Sequence, residues 1–295
     1  MRAEPEVETS VVVVGGGPVG LSMAAELGWR GIPVILLERR DGSVGLPRMN
    51  GVNARTMEFC RRWGIAQRVR DAGWPKDFPR RNLYKTSLTG YEFHGFDFGL
   101  MGPPDQEAKS PEHFQRCSQI WFDPLLRDFA AEFPSVELRY ECELDRFVDD
   151  GDSVVVEATD LQTGGRQVVR TGYLVACDGA RSGVRETLGI GVEGSATLSR
   201  EASIYFRSDA PLTLRNTTPA TMVWLIGPGG MWGVVTAVDG RSLWRLWLSR
   251  LPDDVDAGAL DANAYVRAAI GADAQYEIVG VAPWTRQECV AERYR

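Results

Sequence analysis

Apolar runs, amphipathic stretches and alternating segments succeed one another along this chain in an order that predicts its elements. Val11-Val-Val-Val14 is apolar without interruption, the pattern of a parallel strand covered on both faces. It runs into Gly15-Gly16-Gly17-Pro18-Val19-Gly20 and then Leu21-Ser-Met-Ala24, which predicts a glycine-rich turn opening a helix. A second apolar run, Val34-Ile-Leu-Leu37, ends on Glu38. Helical spacing follows over residues 54–63, stopped by Gly64, and over 65–72. Residues 74–112 change character: they carry Pro75, Pro79, Pro103, Pro104 and Pro111 and alternate around Leu83 and Tyr91, as antiparallel strands do. Residues 119–133 place Phe122, Leu125, Leu126 and Phe129 on one helical face. Residues 136–144 read as one strand, and 153–158 pair with 166–170 across Thr163-Gly-Gly165 as a hairpin. Tyr173-Leu-Val-Ala176 returns to a buried-strand pattern and meets a short helix ending near Gly189. From about residue 195 the chain alternates and is rich in tryptophan (Trp224, Trp232, Trp244, Trp247, Trp284), which predicts an antiparallel sheet. Gly227-Pro-Gly-Gly230 lies between two such runs and reads as a hairpin turn.

The first glycine cluster carries the chemistry. Gly15 permits the tight turn, Gly17 lets a pyrophosphate approach the backbone, and Gly20 lets the helix pack closely on the strand. The helix N-terminus presents free N–H groups and a positive dipole end to phosphates. The pattern continues through Ala24 and Gly31 to Glu38, eighteen residues after Gly20, about where an acceptor for ribose hydroxyls belongs. A dinucleotide site is expected here.

Composition narrows the rest. The chain has 295 residues, 44% of them hydrophobic, and a net charge of −7 with no basic stripe. Nucleic acid is therefore not expected as a partner, since neutralising phosphates needs clustered Lys and Arg. Five dispersed cysteines without a CxxC pair read as thiols of a cytoplasmic protein. The acidic N-terminus has no signal-peptide pattern, no apolar run is long enough to span a bilayer, and with only His94 and His113 no histidine-rich metal site is expected.

Three segments together resemble the single-component (class A) FAD-dependent aromatic monooxygenases, the para-hydroxybenzoate hydroxylase-like group. They are the extended glycine motif, Pro47-Arg48-Met-Asn-Gly51 with Arg55-Thr-Met-Glu58, and Cys177-Asp178-Gly179-Ala-Arg-Ser182-Gly-Val-Arg185. Arg116-Cys-Ser-Gln119 with Leu125-Leu126 also matches the group's helix that brings a glutamine to the flavin. Within the group the chain looks closest to the phenol, hydroxyphenylpropionate and polyketide hydroxylases. The resemblance implies an α/β fold (α+β overall): a Rossmann-like FAD-binding domain with a parallel sheet over residues 1–75 and 113–190, and an antiparallel-sheet substrate region over 76–112 and 191–295. It implies FAD held by Gly15, Gly16, Gly17, Pro18, Val19, Gly20, Glu38, Arg39, Arg48, Gln119 and Asp178. An acid placed like Asp178 also caps a helix on its own account; the resemblance gives it a cofactor or nicotinamide contact.

The activity implied is hydroxylation of a phenolic or polycyclic aromatic substrate by dioxygen through a flavin C4a-hydroperoxide, with NADPH or NADH as co-substrate. No acid–base dyad is required of the sequence, because the cofactor carries the difficult step. Catalytic residues are left unassigned, and a homodimer is left open. The group also has a third motif, a Gly-Asp pair after another buried strand. Residues 284–295 read as the segment leading into it, so the chain is expected to lack that motif. A flavin halogenase or reductase on the same fold and a non-catalytic FAD-fold fragment or partner subunit stand as alternatives.

Overall fold

The computed structural model describes residues 7–97, 110–251 and 260–295; Pro103 and Pro104 lie outside the described residues. The first half runs β1 (Val7–Val14), α1 (Pro18–Trp29), β2 (Val34–Glu38), α2 (Ala54–Arg62), α3 (Ala66–Arg70), β3 (Arg81–Lys85), β4 (Glu92–Asp97) and α4 (Gln119–Ala131). Next come β5 (Val136–Tyr140), β6 (Cys142–Asp149), β7 (Val154–Asp160), β8 (Arg166–Ala176), α5 (Gly183–Thr187) and β9 (Val192–Arg207). The chain continues through α6 (Ala210–Thr213), β10 (Met222–Gly227), β11 (Gly230–Ala237), β12 (Leu243–Leu251), α7 (Ala262–Ile270) and β13 (Glu277–Ala291).

Two sheets organise these elements. The first has the order β5-β2-β1-β8-β7-β6. Its first four strands are parallel, and β7 and β6 extend it antiparallel. The valine run explains its layering: Val11 and Val13 face a core shared with α1 and α4, while Val12 and Val14 face a second core with Ile35, Leu37, Val156 and Val169. Alternation places neighbouring side chains on opposite faces, so an unbroken apolar run marks a strand covered on both.

The second sheet has the order β13-β9-β12-β11-β10-β3-β4. It is antiparallel except where β3 runs parallel to β10, a pairing across the sequence that local alternation does not reveal. One face buries Ile204, Phe206, Val235, Trp244 and Leu246 against Val266, Ala269 and Ile270 of α7. Gly227 pairs with Gly230 at the β10–β11 hairpin, as expected.

Three readings of the sequence are corrected. Residues 136–144 form two strands, because Glu141 takes a left-handed φ of 51° and turns the chain between them. The hairpin arm at 166–170 and the run at 173–176 are one strand, β8, on which Tyr173 is 72% exposed rather than buried. Helix α7 was not anticipated, nor were the bounds of β13, although Trp284 within it was read as part of this sheet. Pro283 and Gly280 interrupt the pattern of β13, which among the described residues is an edge strand paired with β9, where a missing N–H is tolerated.

Candidate FAD site

The C-terminal ends of β1, β2 and β8 converge, as crevices in open α/β sheets require. Gly15 has φ +108° and sits against the end of β8, where an added Cβ would stand 2.4 Å from the Cys177 carbonyl oxygen. A Cβ on Gly20 would lie 1.8 Å from the Gly15 oxygen. Both positions exclude a side chain for internal reasons. Gly17 differs: an added Cβ would meet nothing within 4 Å. Gly17 is also the N-cap of α1 and offers no side-chain cap, while Pro18 at N1 has no N–H to satisfy. The remaining first-turn N–H groups have no acceptor within the helix, which suits a pyrophosphate. Val19 is 67% exposed on the same turn.

Glu38 is buried at the end of β2. Its Oε2 accepts the Gly16 N–H at 2.6 Å, and its Oε1 accepts the Arg40 N–H at 2.9 Å. The carboxylate therefore fixes the glycine loop, and its remaining lone pairs are available to hydroxyl donors. Arg39, next along the chain, projects outward, with Glu143 at 3.9 Å. Asp178 follows β8. Its Oδ2 accepts the Val184 N–H at 3.2 Å, whereas its buried Oδ1 has no hydrogen-bond partner. Helix capping alone thus leaves half of this carboxylate unsatisfied, and an acceptor of that kind fits a ribose or ribitol hydroxyl.

Arg48 and Gln119 meet although 71 residues separate them. The Arg48 N–H donates to Gln119 Oε1 at 2.9 Å, and the Gln119 amide donates through Nε2 to Asp123 Oδ2 at 2.8 Å. Gln119 opens α4, so Asp123 lies one turn on, the i,i+4 spacing at which helical side chains touch. Asp123 is buried and its Oδ1 has no partner. Burial pushes its pKa up to about 6, against the opposing effects of the Gln119 hydrogen bond and the Arg40 charge. Sequence reasoning missed Asp123; the four-residue spacing from Gln119 was the signal that pointed to it. It also missed Arg40, which donates to Glu38 through its backbone N–H and, at 3.3 Å, through Nε.

The family description FAD binding domain matches residues 8–295. The chain belongs to this FAD-binding family. Among curated relatives, the flavoprotein is 34% identical over 306 residues to 4-methyl-5-nitrocatechol 5-monooxygenase of a Burkholderia species, covering 100% of this chain and 55% of that one. Among solved structures it resembles the substrate-free form of the rebeccamycin biosynthetic enzyme RebC, with a TM-score of 0.87, 33% identity and coverage of 99% and 56% of the two chains. It also resembles a ternary complex of aklavinone-11 hydroxylase with FAD and aklavinone, with a TM-score of 0.86, 28% identity and coverage of 99% and 56%. The chain spans about half the length of the curated relatives it matches. Among the described residues no cluster of three or more His, Cys, Asp and Glu is placed to hold a metal ion, and no helix is long and apolar enough to cross a membrane.

Proposed function

We propose that this flavoprotein serves FAD- and NAD(P)H-dependent hydroxylation of a phenolic or polycyclic aromatic substrate by dioxygen. The observation that carries the reading is the convergence of four features: an open cradle at Gly17, the Glu38 carboxylate, the half-satisfied Asp178, and the Arg48–Gln119–Asp123 chain. The named activities of its relatives support the same chemistry. Bound FAD supplies hydride acceptance and oxygen activation. The chain's own residues do the rest. Residues 15–20 take the pyrophosphate, Glu38 and Asp178 accept from hydroxyls of the cofactor, and the hydrogen bond to Gln119 sets the position of the Arg48 segment. The second sheet lies above that segment, because the Tyr205 hydroxyl of β9 donates to the Pro47 carbonyl at 2.6 Å. On its aromatic-rich face, Trp224 stacks on Tyr84 and Trp247 on Trp284, with centroids 5.9 and 6.5 Å apart. We assign that face to the substrate.

The test is a screen of phenols and polycyclic aromatics that follows NAD(P)H consumption, with labelled dioxygen tracing the product. Slow oxidation alone, acceleration by an aromatic compound and label in the product support the reading. Label arriving from water, or no acceleration by any aromatic, refutes it.

A further inference from the structure

The Pro47 carbonyl and the Arg48 N–H belong to one peptide group, and its two ends are held from different layers of the molecule. The oxygen accepts from the Tyr205 hydroxyl of β9, in the second sheet, at 2.6 Å. The N–H donates at 2.9 Å to Oε1 of Gln119, the first residue of α4, which packs on the first sheet. A trans peptide points its N–H and C=O in opposite directions. Both bonds therefore act on a single plane, and a rotation that breaks one breaks the other.

Each grip is itself supported. Arg245 of β12 lies opposite Tyr205, and its side chain donates to the Tyr205 hydroxyl. Burial raises the Tyr205 pKa against the opposing charges of Arg245 and Arg48, so the phenol keeps the proton that it gives to Pro47. On the other side the Gln119 amide donates to Asp123 Oδ2 at 2.8 Å. Donors thus run head to tail from the Arg245 guanidinium through Tyr205, the 47–48 peptide and Gln119 to the Asp123 carboxyl. Hydrogen bonds linked in this way polarise and strengthen one another. The flanking residues restrict the segment further. Pro47 is buried, and its ring fixes φ. Leu46 packs against Tyr205, Val238 and Leu243, and an added Cβ on Gly280 of β13 would stand 3.2 Å from Leu46 Cδ1. The Arg48 side chain, by contrast, is exposed, so its direction is set through the backbone that carries it.

We propose that Tyr205 is a positioning residue for Arg48: it holds the Pro47 end of a peptide whose other end Gln119 holds, so that the second sheet fixes the direction in which Arg48 approaches FAD. This rests on the placement of FAD beside Arg48. Amide hydrogen exchange of the chain without FAD, at constant pH, tests the clamp apart from the cofactor. Tyr205→Phe should lower the protection of the Arg48 N–H at least tenfold, although Tyr205 does not touch that N–H, while the Val12 and Val13 amides stay within twofold. Arg245→Met should act in the same direction by a smaller factor. Gln119→Met removes the acceptor itself, and the double variant with Tyr205→Phe should lose no more protection than Gln119→Met alone, because residues acting through one unit are not additive. In fluorescence titrations Tyr205→Phe should weaken FAD binding at least threefold. Unchanged Arg48 protection, additive losses, a loss shared by Val12 and Val13, or a smaller effect on FAD each overturns the proposal. Should Tyr205→Phe fail to fold, Arg245→Met decides, and an unchanged Arg48 amide in that variant overturns it. If the unmodified chain binds no FAD, the flavin reading fails and the clamp stands or falls on exchange alone.

Discussion

Replacing Gly17 by Ala separates the cofactor's demand on the glycine loop from the fold's demand. Gly17 has φ −76° and ψ −179°, an extended conformation that any residue adopts, and its added methyl would meet nothing within 4 Å. The unbound chain should therefore tolerate the change, with a gain of about 0.4–1 kcal/mol because the unfolded chain loses freedom. For a domain of this size that corresponds to a rise of roughly 1–4 °C in melting temperature. The bound state should behave oppositely. A methyl placed where the pyrophosphate approaches the backbone is an overpacking insertion, costing about 1–3 kcal/mol. At 1.4 kcal/mol per tenfold, FAD should bind about five- to a hundredfold more weakly. Gly20→Ala is the control, since its methyl would stand 1.8 Å from the Gly15 oxygen and should lower both stability and affinity. Melting curves without FAD and fluorescence titrations with FAD measure the two effects separately. A Gly17→Ala chain that is stable and binds FAD within twofold of the unmodified chain would refute the placement of the pyrophosphate.

Glu38→Ala removes an acceptor that also holds the Gly16 and Arg40 N–H groups. With charge-assisted hydrogen bonds at about 1.5–3 kcal/mol each, FAD affinity should fall at least tenfold in a fluorescence titration, and unchanged affinity would sink the assignment. Asp123 should destabilise the chain at neutral and alkaline pH. Its folded pKa of about 6 exceeds the ordinary 3.8, so the folded state holds the proton more tightly and stability falls as pH rises through that window. Asp123→Asn keeps an acceptor for Gln119 and should raise the melting temperature by several degrees at pH 8, with little effect at pH 4; equal shifts at both would contradict this. Asp178→Asn leaves an acceptor for the Val184 N–H and should preserve the fold while weakening FAD binding severalfold, as measured by titration against melting curves. Loss of the fold with no separate effect on FAD would mean that the aspartate only caps α5.

Much of the first sheet was legible because its signals are local. The valine run, the glycine turn, the second apolar run ending on Glu38 and the hairpin around Thr163 are each written in a few consecutive residues. Partners brought together by register were not legible. The parallel pairing of β3 with β10 joins residues about 140 apart, and nothing in either strand announces it. The split at Glu141 depends on a single positive φ on a residue that gives no turn signal. In the site, Glu38 could be read from spacing, and Arg48 and Gln119 from resemblance, yet their contact spans two elements. Asp123 carried a helical spacing that went unused. Arg245 and Tyr205 looked like ordinary charged and aromatic residues, because only strand register shows that they share a face of the second sheet.

FAD is expected on the turn between β1 and α1, with its adenosine ribose on Glu38. A crystal structure of the chain soaked with FAD measures this directly. The expected result is phosphate oxygens within hydrogen-bond distance of the backbone N–H groups of residues 15–20, ribose hydroxyls on the Glu38 carboxylate, and a cofactor hydroxyl on the free oxygen of Asp178. FAD bound elsewhere, or a ribose turned away from Glu38, would contradict it.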